Sequence, residues 1–161
     1  MKLISIDPGF DKVGYAIFDK TGNGNSDFTY ITSDLIKTSP KSKHEQRLKK
    51  VYEELEEVIE KHQPKVMVIE QLFMFRNQKT VIKVAQAIGV IELVASVHDL
   101  QIERLTPLQI KQMVTGYGNV DKKSVQKMIE LTLSDKIEMK DDDQADAIAC
   151  GLAYCFQSNF S

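Results

Sequence analysis

Short apolar runs and long amphipathic stretches follow one another along this chain, and the change of period between them marks its elements. Residues 2–7, Lys-Leu-Ile-Ser-Ile-Asp, predict a buried strand halted by Pro8-Gly9. A second strand is expected over 13–19 and a third over 28–33, an antiparallel meander in which Thr21-Gly22-Asn23-Gly24-Asn25 is a loop with hairpin chemistry. Over 41–62 the period lengthens: Leu48, Val51, Tyr52, Leu55, Val58 and Ile59 share one face and Lys and Glu the other, which predicts a helix. Pro64 lies beyond its end, and 65–70, Lys-Val-Met-Val-Ile-Glu, reads as a central strand buried on both faces.

A second long helix is predicted over 78–97, rich in Val, Ile and Ala and interrupted by Gly89, where a neighbouring element is expected to approach closely. A short strand at 101–105 leads to Thr106 as N-cap and Pro107 at the first position of a short helix. The Gly116-Tyr117-Gly118-Asn119 loop, a helix from Lys122 to Leu133, and a last helix starting near Asp143 complete the chain. That last helix is expected to bury Ala145, Ile148, Ala149, Leu152 and Phe156. Three antiparallel strands, then helix, strand, helix and strand, make an α/β architecture: a mixed five-stranded sheet with helices on both faces, in the order of a ribonuclease-H-like fold.

At 161 residues, one domain spanning 1–161 is expected. No segment is read as long and apolar enough to span a bilayer, and no secretory leader pattern follows Met1, so the expected location is cytoplasmic, away from membranes. Cys150 and Cys155, five apart on a helix, suit neither a zinc site nor an easy disulfide and are expected as reduced core residues.

Chemistry enters through four acids. Asp7 and Glu70 end strands that lie side by side in such a sheet, and Glu70 closes an otherwise apolar run where a carboxylate without a partner is costly. Asp143 and Asp146, three apart, stack on one helix face. Asp141 and Asp142 are expected to be only a solvated helix start favoured by the macrodipole. Each neighbouring carboxylate pair about 4 Å apart repels by about 4 kcal/mol at an effective dielectric near 20, against a domain stability of about 5–15 kcal/mol. Such a cluster is consistent only with acids that are well solvated, partly protonated or neutralised by divalent cations, with Mg²⁺ the natural candidate and Mn²⁺ an expected substitute. Four carboxylates holding two such ions about 3.5–4 Å apart suit phosphodiester hydrolysis, one ion activating water and the other stabilising the leaving 3′ oxygen. No Ser-His-Asp or Cys-His set competes, and His44, His62 and His98 take no role. The net charge of −2 and pI of 5.9 weigh against a polyanionic partner only on average, because setting the four acids aside tips the remaining balance to positive.

Motif by motif, the chain resembles the RuvC Holliday junction resolvases over nearly its full length. The matching segments are Ile6-Asp7-Pro8-Gly9 with Gly14-Tyr15, Ile69-Glu70-Gln71 with Phe73-Met74, and Asn77, followed by Gln86-Ala87 with Gly89. Further on come Ile110-Lys111-Gln112 with Val114, Gly116, Gly118, Lys122, Val125-Gln126, and Gln144-Ala145-Asp146-Ala147. The resemblance implies a homodimeric endonuclease that makes paired, symmetric nicks in four-way DNA junctions, with Asp7, Glu70, Asp143 and Asp146 as catalytic Mg²⁺ ligands. It also implies cooperation with a branch-migration helicase complex.

By the same resemblance Phe73 is a wedge for the opened junction, with Phe75 and Arg76 in the same DNA-binding loop; stacking of this kind is worth about 1–3 kcal/mol per base. Lys111 and Lys122 match basic positions near the cleaved phosphate, Lys123 stands beside them, and the 78–97 helix is the expected dimer surface.

Val13, Ala16 and Ile88 depart from the family's usual threonine, glycine and arginine. They leave the acidic site intact but open a broader branched-DNA or flap nuclease of phage type as an alternative. A junction-binding module without catalysis is a second alternative. Asp7-Pro8-Gly9 with Gly14 is also similar to the first phosphate loop of actin-like ATPases and sugar kinases, which need two lobes where this length supplies one.

Overall fold

The computed structural model describes residues 1–22, 24, 26–71, 78–134, 137 and 139–157. In chain order they form β1 (Lys2–Asp7), β2 (Lys12–Lys20), β3 (Phe28–Lys37), α1 (His44–His62), β4 (Val66–Glu70) and α2 (Gln78–Val97), then β5 (Gln101–Leu105), α3 (Pro107–Thr115), α4 (Lys122–Leu133) and α5 (Asp142–Phe156). The sheet order is β3-β2-β1-β4-β5, antiparallel from β1 through β3 and parallel from β1 through β5. The mixed five-stranded sheet with helices on both faces is therefore present.

Side-chain alternation sorts the strands onto two cores. Leu3, Ala16, Phe18, Val66 and Val68 pack against α3, α4 and α5, whereas Ile4, Ile6, Ile17, Met67 and Ile69 pack against α1 and α2. Counting by twos from Leu3 through the buried Ser5 brings Asp7 to the α5 side, and counting from Val66 brings Glu70 to the same side. Strand parity alone thus aims both carboxylates at the face that carries α5.

Several boundaries differ from expectation. β3 runs on past Ser33 to Lys37, pairing with β2 as far as Lys12 and burying Ile36, because an edge strand holds its place through backbone bonds and tolerates polar side chains. α1 begins at His44 rather than at 41; Gln46 accepts the Lys43 amide at 3.3 Å and closes the helix start. Arg47 is buried on the apolar side of α1.

α2 corrects two expectations. By length and composition Lys79–Val97 is apolar enough to cross a membrane, contrary to the reading that no segment was. Its apolarity has two separate destinations. Val84, Ala87, Ile91, Val94 and Ala95 enter the cores, while Ile82, Leu93 and Val97 are exposed. Gly89 lies on the exposed side and nothing stands within 4 Å of where its side chain would be, so the close approach expected there is made by no described part of this chain.

Candidate active site

Three carboxylates converge from two elements: Asp7 at the end of β1 and Asp143 and Asp146 on the first turns of α5 offer oxygens that all lie within 4.8 Å of one another. Glu70, ending β4 one strand over, joins the group by a hydrogen bond between its side chain and that of Asp7. All four are half-buried.

α5 is seated on the sheet by close contact. The Ser5 hydroxyl, fully buried, donates to the Ala147 carbonyl at 2.7 Å. Gly14 pairs with Asp7 across β1 and β2, and a methyl group at Gly14 would overlap the Asp143 carbonyl and stand 3.3 Å from the Ala147 Cβ. At the other end of the seat a side chain on Gly151 would meet the Phe18 ring and the Ser5 hydroxyl. Only hydrogen at these positions lets the helix backbone come down onto the strands.

Crowding shows in the protonation of the site. Burial, then Glu70, Asp146 and Asp143, push Asp7 up to about 9, with Lys122 opposing them. Burial and Asp146 raise Glu70 to about 7. The Asp7–Glu70 hydrogen bond requires a proton between two carboxylates, which burial and the neighbouring acids favour by raising both groups. Burial and then Asp141 raise Asp143 as well. These all-oxygen donors suit a hard divalent cation, whose charge would replace that proton and relieve the repulsion.

Two of the three expected lysines border the acids. Glu70, Lys111, Lys122 and Asp146 line a cavity of about 190 Å³ floored by Ile110, Val125 and Ala149. Lys122 Nζ donates to Asp146 Oδ2 at 2.8 Å and lies 3.4 Å from Asp142 Oδ2. Burial opposes its charge, but these two acids raise it above the ordinary lysine range. Lys123, the next residue on α4, is exposed and lies outside that cavity's lining. Phe73, Phe75 and Arg76 lie outside the described residues.

A family model described as crossover junction endodeoxyribonuclease RuvC matches residues 3–155. The chain belongs to the RuvC family. The RuvC protein of Thermosipho melanesiensis is 41% identical over 99% of this chain and 100% of its own length, and that of Fusobacterium nucleatum 43% identical over 92% and 77%. Among solved structures, T. thermophilus RuvC in complex with Holliday junction substrate superposes with a TM-score of 0.89 at 25% identity, covering 97% of this chain and 93% of that one. A yeast mitochondrial Holliday junction resolvase, at 12% identity and a TM-score of 0.69 over 96% of this chain, shares the fold. Membership in the RuvC family removes the actin-like ATPase alternative.

Around this RuvC site, sequence reading passed over three contacts. Asp141, expected to be merely solvated, caps α5 by accepting the Asp143 amide at 3.1 Å, and its other oxygen receives Lys12 Nζ at 2.6 Å. The Lys12 ammonium holds the Asp141 carboxyl below the usual range. Asp142 matches expectation better, its side chain 70% exposed. Arg47 stacks on Phe10 at 3.9 Å, donates to Thr38 Oγ1 at 2.9 Å and bonds Asp11, gripping the turn that follows Asp7. The signal for Arg47 was present as the one charged residue in register with Val51 and Leu55; Lys12 carried none, since its partner is 129 residues away.

Proposed function

We propose that this RuvC-family endodeoxyribonuclease resolves four-way DNA junctions by paired symmetric nicks, with Asp7, Glu70, Asp143 and Asp146 as the ligands of two Mg²⁺ ions, replaceable by Mn²⁺. The observation that carries the reading is the cluster of Asp7, Asp143 and Asp146 within 4.8 Å, with Glu70 bonded to Asp7. Bound divalent ions supply activation of water and charge stabilisation at the leaving 3′ oxygen. The chain's own side chains do the rest. Asp7, Glu70, Asp143 and Asp146 would hold the ions as carboxylates, and Lys122, which donates to Asp146 at 2.8 Å, stands beside them with a positive charge that suits the phosphate. Lys111, which lines the same cavity, is a second positive charge for the scissile phosphate. Phe73, Phe75 and Arg76 are proposed to hold the opened junction, with Lys123 a backbone contact on the rim.

The partner with which two sites would face two strands is a second copy of the chain. Ile82, Gln86, Gly89, Leu93 and Val97 fall at helical spacing along the exposed side of α2, apolar at both ends with a glycine at the middle. A twofold pairing of α2 helices would cover that stripe and bring a backbone against Gly89. Cooperation with a branch-migration helicase complex belongs to the same proposal, as does a cytoplasmic location, where the buried free thiols of Cys150 and Cys155 stay reduced.

The test is cleavage of a synthetic four-way junction with and without Mg²⁺, beside three-way and flap substrates. Symmetric nicks that require metal, lost in Asp7→Asn or Glu70→Gln while junction binding persists, support the reading. Binding without cleavage at any Mg²⁺ or Mn²⁺ concentration would select the binding module, and equal cutting of flaps the broader nuclease. Phe73→Ala is expected to slow cleavage of intact junctions more than of pre-opened ones.

A further inference from the structure

We propose that Lys12 is a positioning residue for the acidic site, acting through Asp141 to hold the first turn of α5, and with it Asp143, against Asp7. The proposal rests on the metal-binding reading of the acids given above.

Lys12 opens β2 two residues before Gly14, so it leaves the sheet edge where α5 begins. Its Nζ donates to Asp141 Oδ2 at 2.6 Å, while Asp141 Oδ1 accepts the Asp143 amide at 3.1 Å. One carboxylate therefore links a strand to the backbone of a metal-ligand residue. Asp141 is well covered, its side chain 19% exposed, whereas Lys12 is 41% exposed, so the lysine is free to be changed without opening the core.

A strap at this place has a specific task. The first turn of a helix is where its backbone is least held, since its amides have no partners within the helix. Here that turn carries Asp143 toward Asp7 and Asp146, against mutual repulsion. Gly14 and the Ser5–Ala147 bond limit how α5 sits on the sheet, but both act from beneath the helix. Lys12–Asp141 is the tie that pulls on the cap itself. Without it, repulsion among the unmetallated acids would swing Asp143 outward, and the ions would have to pull it back on binding.

The experiment measures Mn²⁺ binding to the whole protein without DNA, by calorimetry, together with junction affinity in EDTA and the Mg²⁺ dependence of cleavage. Lys12→Met is expected to weaken Mn²⁺ binding by about tenfold, the scale of a lost outer contact to a metal ligand, with Lys12→Arg recovering most of it. Asp141→Asn keeps a capping oxygen but loses the ion pair, so it should reproduce Lys12→Met even if that variant folds poorly, and the double variant should be no worse than either single one. Raising Mg²⁺ should restore cleavage. Unchanged Mn²⁺ affinity in both single variants, or additive losses in the double, would overturn the strap. Loss of junction affinity in EDTA with metal affinity intact would overturn it too, making Lys12 a phosphate contact. Failure of the unaltered protein to bind Mn²⁺ would instead remove the metal-site reading beneath it.

Discussion

Gly14 stands opposite Asp7 in the β1–β2 register and at the same time against the backbone carbonyl of Asp143. One residue without a side chain thus sets the spacing between a strand acid and a helix acid. Gly14→Ala is expected to shift the start of α5 and reduce cleavage by at least about tenfold, the scale of small misplacements at a reacting centre. Circular dichroism should show the fold retained. Full activity in the alanine variant would mean that α5 tolerates a raised seat.

The acids should make the metal-free protein less stable as pH rises. Asp7 and Glu70 have folded values of about 9 and about 7, above the ordinary carboxylate range near 4, so the folded state holds protons that the unfolded chain has lost. Their contribution is fully present below about pH 4 and declines as pH rises through about 7 and then about 9. Melting curves in EDTA from pH 5 to 9 should show Tm falling, with Asp7→Asn flattening the fall and raising Tm at pH 8. Mg²⁺ should restore stability to the unaltered protein and not to the variant.

Removing the lysines that face the acids should cost rate rather than affinity. Lys122→Ala and Lys111→Ala are each expected to lower single-turnover cleavage by about 100-fold, the scale of one lost charge-stabilising donor, while junction binding in Ca²⁺ changes little. Lys123→Ala, outside the cavity, should change binding modestly and cleavage hardly at all. A Lys123 variant as impaired as Lys122→Ala would reverse that division.

Arg47→Ala should destabilise by about 2 kcal/mol, since the hydroxyl of Thr38 and the carboxylate of Asp11 lose a charged donor and the Phe10 ring loses its stacked guanidinium. Lysine cannot reproduce the planar fork and should rescue little. Urea titration checks both.

Leu93→Glu on the exposed side of α2 should turn a dimer into a monomer by sedimentation and uncouple the two nicks on a plasmid-borne junction. Monomeric behaviour of the unaltered protein would remove the α2 pairing.

Period and residue order alone determined the run of elements, the sheet they make and the four acids, because the pattern of buried positions in each strand and helix is local and is written in consecutive residues. They also placed Asp7 and Glu70 at the ends of neighbouring strands, but which side of the sheet the two acids face came only with the structure, because both strands are buried on both faces and a uniformly apolar run carries no parity. Only the tertiary structure decided the rest. The extension of β3 to Lys37 depends on what β2 offers it, the exposed stripe of α2 on what the core leaves uncovered, and the Lys12–Asp141 and Arg47–Asp11 ties on chain segments far apart in sequence. Such contacts form between residues that no local period relates, so their physical signal exists only once the sheet has brought them together.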